Sequence, residues 1–215
     1  MNDTLRAILD SGVIAIVRSD SSAGLLETVH ALARGGVKAI EITMTTPGAL
    51  DAITLLAREA SEEFIIGAGS VLDGPMARSA IDSGAEFLVM PNVNLDGIRL
   101  AKDRGKVVCP GALTPTEIVT AWQAGADIVK IFPASCFGPE YIMALNGPLP
   151  EVRYMPVGGV DLTNAAEYVK AGTCAIAVGS ALVNKKTIAR GDWAQITETA
   201  RKYVEAVARA RSKGK

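Results

Sequence analysis

Aromatic residues make up only 5% of the 215 residues, histidine occurs once and cysteine three times. The three thiols, Cys109, Cys136 and Cys174, have no neighbours at metal-ligand spacing, and an odd, widely spaced set forms no disulfide framework. They are expected to be small buried apolar residues in a reducing compartment. No apolar run is long enough to span a bilayer, and the first residues lack a basic stretch followed by a long apolar one. A cytoplasmic protein with no membrane partner is expected. The formal net charge of −1 leaves no electrostatic case for nucleic acid. Only Lys202 to Lys215 is locally basic, which suits a solvated last helix that frays or, alternatively, a polyanion-binding tail.

What the chain has is aliphatic. Nearly half of it, 49%, is hydrophobic, mostly Val, Ile, Ala and Leu, enough for a sizeable core and suited to parallel strands covered on both faces. Eight short apolar runs recur: Val13–Val17, Ala39–Thr43, Phe64–Gly67, Phe87–Met90, Val107–Cys109, Ile128–Phe132, Tyr154–Val157 and Ala175–Val178. Each is too short for a helix and most are rich in β-branched residues, so each reads as a buried strand. Amphipathic stretches lie between them, including Ser21–Arg34, Leu50–Ala57 and Ile98–Lys102. Helix starts are marked at Asp20-Ser21-Ser22, Thr46-Pro47, Asp73-Gly74-Pro75, Thr114-Pro115 and Asp161-Leu-Thr-Asn164. A weak repeat backs this layout. Helices end at Gly36, Gly84, Gly125 and Gly172 just before the second, fourth, sixth and eighth strands. Eight alternations over 1–215, with no linker of unusual composition, predict one domain, an α/β (β/α)8 TIM barrel. An extra helix over the first eleven residues would plug the barrel bottom. An open doubly wound sheet is the alternative, but Val17-Arg-Ser-Asp20 after the first strand is no dinucleotide turn.

In such a barrel the C-terminal strand ends carry the chemistry. In the sixth strand Val129 and Ile131 form a wholly apolar face that must lie under the helices, so Ile128, Lys130 and Phe132 point inward. An ordinary lysine, with a pKa of about 10.4, is neutral only about once in two to three thousand at pH 7. Burial disfavours the ammonium form, and a neutral buried amine is what Schiff-base formation requires. A structural lysine paired with a carboxylate is the other reading. In the second strand Glu41 and Thr43 share one face, with Ile40 and Ile42 on the other. Glu41 could be the counter-ion of Lys130, or could shuttle protons; the two are compatible in a coupled pair. His30, the only imidazole, falls mid-helix, so no histidine is available as a base. Gly158-Gly159 after the seventh strand and Gly179-Ser180 after the eighth stand where backbone N–H groups could hold a phosphate, or merely make tight turns. Arg18, Ser70, Pro91 and the Gly111–Thr114 turn occupy other strand ends. Arg18 could hold a carboxylate, and Ser70 could donate to one or cap a helix.

Together these segments closely resemble the 2-keto-3-deoxy-6-phosphogluconate / 4-hydroxy-2-oxoglutarate (KDPG/KHG) aldolase family, from about Gly12 to Val183. The motifs that carry the resemblance are Gly35-Gly36-Val37 with Ile40-Glu41-Ile42-Thr43, Ile66 to Val71, Pro110-Gly111, Lys130-Ile131-Phe132-Pro133-Ala134 and Pro156 to Val160. The resemblance implies a lyase that cleaves such acids to pyruvate and an aldehyde. Lys130 would be its Schiff-base lysine and Glu41 its general acid/base. Thr43, Ser70 and Pro91 would line the pyruvate half beside Phe132, and Gly158, Gly159, Gly179 and Ser180 would bind phosphate. It implies no metal or organic cofactor, and a homotrimer. Many members have arginine where Thr45 stands and threonine where Ser70 stands, so Arg18 would take over the carboxylate contact with Thr45 as a weaker donor. Two rival classes are another phosphate-binding barrel enzyme, such as a thiamine-phosphate synthase or sugar-phosphate epimerase, and a non-catalytic barrel scaffold. Neither explains an inward lysine facing an inward glutamate.

Overall fold

The computed structural model describes residues 2–60 and 63–212. Helices and parallel strands alternate along it. In chain order they are α1 (Asp3–Ser11), β1 (Val13–Val17), α2 (Leu25–Arg34), β2 (Ala39–Thr43), α3 (Ala49–Glu59), β3 (Ile65–Gly69), α4 (Gly74–Asp82), β4 (Phe87–Val89) and α5 (Leu95–Asp103). Then follow β5 (Val107–Cys109), β6 (Gly111–Ala112), α6 (Pro115–Gln123), β7 (Val129–Ile131), α7 (Gly138–Asn146), β8 (Tyr154–Pro156), α8 (Ala165–Lys170), β9 (Ile176–Val178), α9 (Lys185–Arg190) and α10 (Trp193–Ser212). The strands form a curled parallel sheet in two parts, ordered β5-β4-β3-β2-β1-β9 and β6-β7-β8. Pro110, which has no N–H to give a ladder, separates β5 from β6. Its flanks still join the two parts, because Cys109 O accepts from Met90 N while Pro110 O accepts from Lys130 N. On the far side a parallel bridge links Val157 to Ala177.

Side-chain alternation sorts the apolar residues into two populations. Ile40, Ile42, Ile66, Ala68, Val129 and Ile131 pack outward against the helices. Ile14, Ala39, Phe87, Val107, Ile128 and Met155 pack inward, joined by Leu5 and Ile8 of α1. Full burial of each large aliphatic side chain contributes roughly 1.5–3 kcal/mol.

The four glycines expected to end helices, Gly36, Gly84, Gly125 and Gly172, all adopt left-handed φ between +92° and +102°. Thr114 caps α6 in a reciprocal capping box with Glu117, and Asp73 caps α4 by accepting from Met76 N. Several boundaries differ from expectation. α2 starts at Leu25, not Ser21, because Gly24 at φ +74° turns the chain into the helix and Ser19–Ala23 stays a loop. α3 likewise starts after Gly48 at φ +70°, not at Pro47. The third strand is displaced to Ile65–Gly69, in register with β2 through Thr43–Gly69.

Two expectations are corrected. Cys136 is exposed and Cys174 only part-buried; Cys109 alone is buried. The reason is local: Cys136 lies on a one-turn 3-10 helix, Ala134–Cys136, in the loop after β7. Nor is the basic C-terminal segment merely a solvated helix. Tyr203, Val207 and Ala210 of α10 are buried, and Arg211 donates to Asp10 O at 3.0 Å and Cys174 O at 2.6 Å. The expected fraying of the last residues, 213–215, falls outside the described residues.

α10 approaches the end of α2 closely. A Cβ on Gly35 would stand 2.4 Å from Ala200 Cβ and 2.6 Å from Thr197 O. Gly35→Ala is therefore expected to destabilise the fold by about 1–3 kcal/mol through overpacking, measured by urea unfolding.

Candidate active site

A cleft of about 670 Å³ opens at the C-terminal ends of the strands. Most of the expected residues meet there. Glu41 and Lys130 lie on its floor, with Arg18 after β1, Ser70 after β3 and Pro91 after β4. Phe132 follows β7, Gly158 and Gly159 follow β8, and Gly179 and Ser180 follow β9.

Glu41 is 2% exposed and Lys130 6%. Both point inward because their neighbours, Ile40, Ile42, Val129 and Ile131, are taken up by the helix-facing core. Space for the carboxyl is made by β3. A Cβ on Gly69 would fall 2.1 Å from Glu41 Oε1, and one on Gly67 would meet the Phe87 ring at 2.4 Å. Glycine weakens a strand interior, and its placement marks such close approaches. Glu41 Oε2 is buried without a hydrogen-bond partner. A buried acceptor left in that state is costly, and groups of this kind concentrate where chemistry is done.

Electrostatics bring the two groups toward a common range. Burial raises the Glu41 carboxyl to about 7, against the opposing pull of Lys130 and Arg18. Burial lowers the Lys130 amine, opposed chiefly by Glu41, while Arg18 pushes it further down. The Lys130 Nζ stands 4.5 Å from the centroid of the Phe132 ring, whose face favours the cationic form. A carboxyl that exchanges protons near neutrality beside an amine whose charge is disfavoured by burial offers an acid–base group next to a candidate nucleophile.

The rest of the rim is polar. Ser70 is the one described non-glycine residue with positive φ, +59°, a conformation that costs of order 1–3 kcal/mol. Gly158 and Gly159 hold φ of +88° and +78°. Asn164 fixes their turn, giving Nδ2–H to Gly159 O at 2.8 Å and accepting from Asp161 N at 2.9 Å. Thr43 and Thr45 are not in the cleft wall. Thr45 Oγ1 donates to Thr43 Oγ1, which also pairs with Thr46 Oγ1, and Thr46 Oγ1 accepts from Ser19 N. These hydroxyls tie the loop after β2 to the loop that carries Arg18. His30 lies away from the cleft, on α2 against Glu59 and Phe64.

Sequence reasoning missed Asp161, Asn184, Lys185 and Lys186, which also line the cleft. Their signal was position alone, just beyond the seventh and eighth strand runs. Among the described residues no group of three or more His, Cys, Asp or Glu is placed to hold a metal. No described helix is long and apolar enough to cross a membrane.

The raised Glu41 value couples its ionisation to stability. The stability conferred by its neutral form is complete below pH 4.5 and is lost as pH rises through about 7. Glu41→Gln is therefore expected to gain on the wild type across that window, by up to about 3 kcal/mol, measured by urea unfolding at both ends.

Known proteins are similar to this chain in sequence and fold. The family model for KDPG and KHG aldolase matches residues 5–199. The 2-dehydro-3-deoxy-phosphogluconate aldolase of Pseudomonas aeruginosa is 35% identical over 94% of this chain and 92% of its own. The 2-dehydro-3-deoxy-6-phosphogalactonate aldolase of Escherichia coli is 37% identical over 79% of this chain and 83% of its own. A KDPG aldolase from Legionella pneumophila, solved with pyruvate captured as a covalent carbinolamine intermediate, superposes with a TM-score of 0.85 at 26% identity, covering 92% of this chain and 96% of that one. The chain belongs to the KDPG and KHG aldolase family.

Proposed function

We propose that Lys130 is the Schiff-base lysine of this class I aldolase and Glu41 its general acid/base. The observation that carries the reading is the buried Glu41–Lys130 pair on the cleft floor, with the carboxyl raised to about 7 and the amine lowered. The substrate is 2-keto-3-deoxy-6-phosphogluconate or a related 2-keto-3-deoxy or 4-hydroxy-2-oxo acid. Neutral Lys130 adds to the C2 ketone, and Glu41 relays protons so that the carbinolamine loses water. The Glu41 carboxylate then takes the proton of the C4 hydroxyl as the C3–C4 bond breaks. The electron pair passes into the iminium to give an enamine, and the aldehyde leaves, glyceraldehyde 3-phosphate in the phosphogluconate case. Glu41 returns a proton to C3, and hydrolysis frees pyruvate and restores the amine. The carbinolamine held by the Legionella relative supports a covalent route of this kind.

Along the cleft, Arg18 and Ser70 hold the substrate carboxylate and Pro91 and Phe132 wall the pyruvate half. Gly158, Gly159, Gly179 and Ser180 cradle the phosphate. Thr43 and Thr45 support these contacts by fixing the loop beside Arg18. Phosphate binding away from the reacting carbons orients them. No metal or organic cofactor takes part.

The same reading covers the whole molecule. Residues 1–215 form one domain whose sheet closes into a (β/α)8 barrel, supported by the hydrogen bonds across Pro110 and the Val157–Ala177 bridge. α1 plugs the bottom, supported by Leu5 and Ile8 in the inner cluster. It works as a cytoplasmic homotrimer, where phosphorylated acids that do not cross membranes are found.

Borohydride reduction in the presence of pyruvate is expected to add one reduced pyruvyl group to Lys130, seen by peptide mass spectrometry. No adduct, under conditions that label a control aldolase, removes the reading. Lys130→Met is expected to stay folded with no turnover, and Glu41→Gln to lose about 10²–10⁴-fold in kcat. In the wild type, kcat/KM is expected to fall as pH drops below about 7, since the Glu41 carboxylate is lost there. Glu41→Gln removes the part of that bend set by the carboxyl.

A further inference from the structure

Two lysines at the cleft mouth have no part in the mechanism above. β1 lies beside β9, so the loop after β1, with Arg18 and Asp20, faces the start of α9, with Asn184 as its N-cap and Lys185 and Lys186 in its first turn. Lys185 and Lys186 line the cleft on the side of the two glycine turns. Both are solvent-exposed, and Lys186 makes no ion pair among the described residues. Lys185 pairs with Asp20, and these two residues together also line an adjoining crevice of about 520 Å³ between the loop after β1 and α9. Lys185 thus borders both the cleft and a carboxylate outside it.

The charge balance at this end is short of cations. The glycine turns offer only neutral N–H donors. Asp161, on the same wall, keeps its carboxyl below the usual range because the Thr163 hydroxyl and N–H both donate to it. A phosphate monoester carries about −1.5 to −2 at pH 7, and entry past Asp161 is repulsive without a counter-charge. Arg18 and Lys130 are occupied at the keto-acid end. Lys185 and Lys186 are the cations left to meet the phosphate.

Building on the phosphate cradle of the preceding reading, we propose that Lys185 and Lys186 are specificity residues. They favour acids with a dianionic distal group, and Lys185 exchanges its partner Asp20 for the incoming phosphate. Asp20 then acts as a competitor, setting how much of the Lys185 charge is available. The lysine ammonium, a compact point charge on a flexible stem, suits such an exchange.

Calorimetric titration with inorganic phosphate at low salt tests this on the full-length protein. Lys185→Ala and Lys186→Ala are each expected to weaken phosphate binding roughly 3-fold, and the double variant roughly 10-fold, the scale of exposed ion pairs. The ratio of kcat/KM for 2-keto-3-deoxy-6-phosphogluconate over 4-hydroxy-2-oxoglutarate should fall by similar factors. Asp20→Asn has the opposite sign: it should tighten phosphate binding about 2-fold, and the gain should vanish when Lys185→Ala is added. A general structural disturbance would not produce a gain. Affinity indifferent to both lysines, or weakened by Asp20→Asn, overturns the assignment. Pyruvate–borohydride labelling of Lys130 reports separately on the catalytic reading. Labelled enzyme whose phosphate affinity ignores the lysines overturns the assignment alone. Unlabelled enzyme whose affinity follows them overturns the Schiff-base reading alone.

Discussion

A carboxyl group and an amine, each almost wholly removed from water, share the floor of one cleft, and much of the molecule is arranged around the cost of keeping them there. Either charge alone would be expensive in that setting, and the pair is tolerable because each favours the charged form of the other. Neither compensation is complete. Glu41 rests near 7, so its neutral form is populated at neutral pH, and the Lys130 amine is held below its ordinary value. An ion pair locked in perfect geometry would be a poor catalyst, since its amine would stay protonated and its carboxylate occupied. The unpartnered Glu41 Oε2 shows that this pair is not locked.

The surroundings enforce that state sterically. Gly67 and Gly69 strip β3 of side chains where the Phe87 ring and the Glu41 carboxyl need room. Below the pair, the inner apolar cluster with Leu5 and Ile8 of α1 fills the interior, which keeps water from reaching the pair from beneath and leaves the cleft as the open side. Outside the sheet, the residues that alternate with Glu41 and Lys130 are the ones that anchor the helices. A one-residue slip of β2 or β7 would cost the outer core as well as the site, so the same burial that stabilises the fold holds Glu41 and Lys130 in register.

How much of this was legible in the sequence depended on whether a signal was local. The inward direction of Lys130 followed from Val129 and Ile131, and that of Glu41 from Ile40 and Ile42, because a period of two leaves no other choice. The left-handed helix ends at Gly36, Gly84, Gly125 and Gly172 were equally local. The starts of α2 and α3 were misplaced because Ser and Thr-Pro caps competed with Gly24 and Gly48, and only the tertiary path decided for the glycines. Thr43 shares the Glu41 face, yet its hydroxyl was claimed by Thr45 and Thr46, a contact made by a loop whose shape no pattern encodes. Lys185 and Lys186 carried no motif of their own, and only the fold, which starts α9 beside the turn after β9, places them on the cleft.

The two ends of the cleft therefore work by different physics. At the floor, desolvation by burial dominates and is little affected by ions in solution, so the buried pair keeps its properties as salt changes. At the mouth, Lys185, Lys186, Asp20 and Asp161 are solvent-facing, and their mutual effects are screened within about 8–10 Å at physiological salt. Surface charge at the mouth can then change without altering the burial that shifts the amine and the carboxyl below.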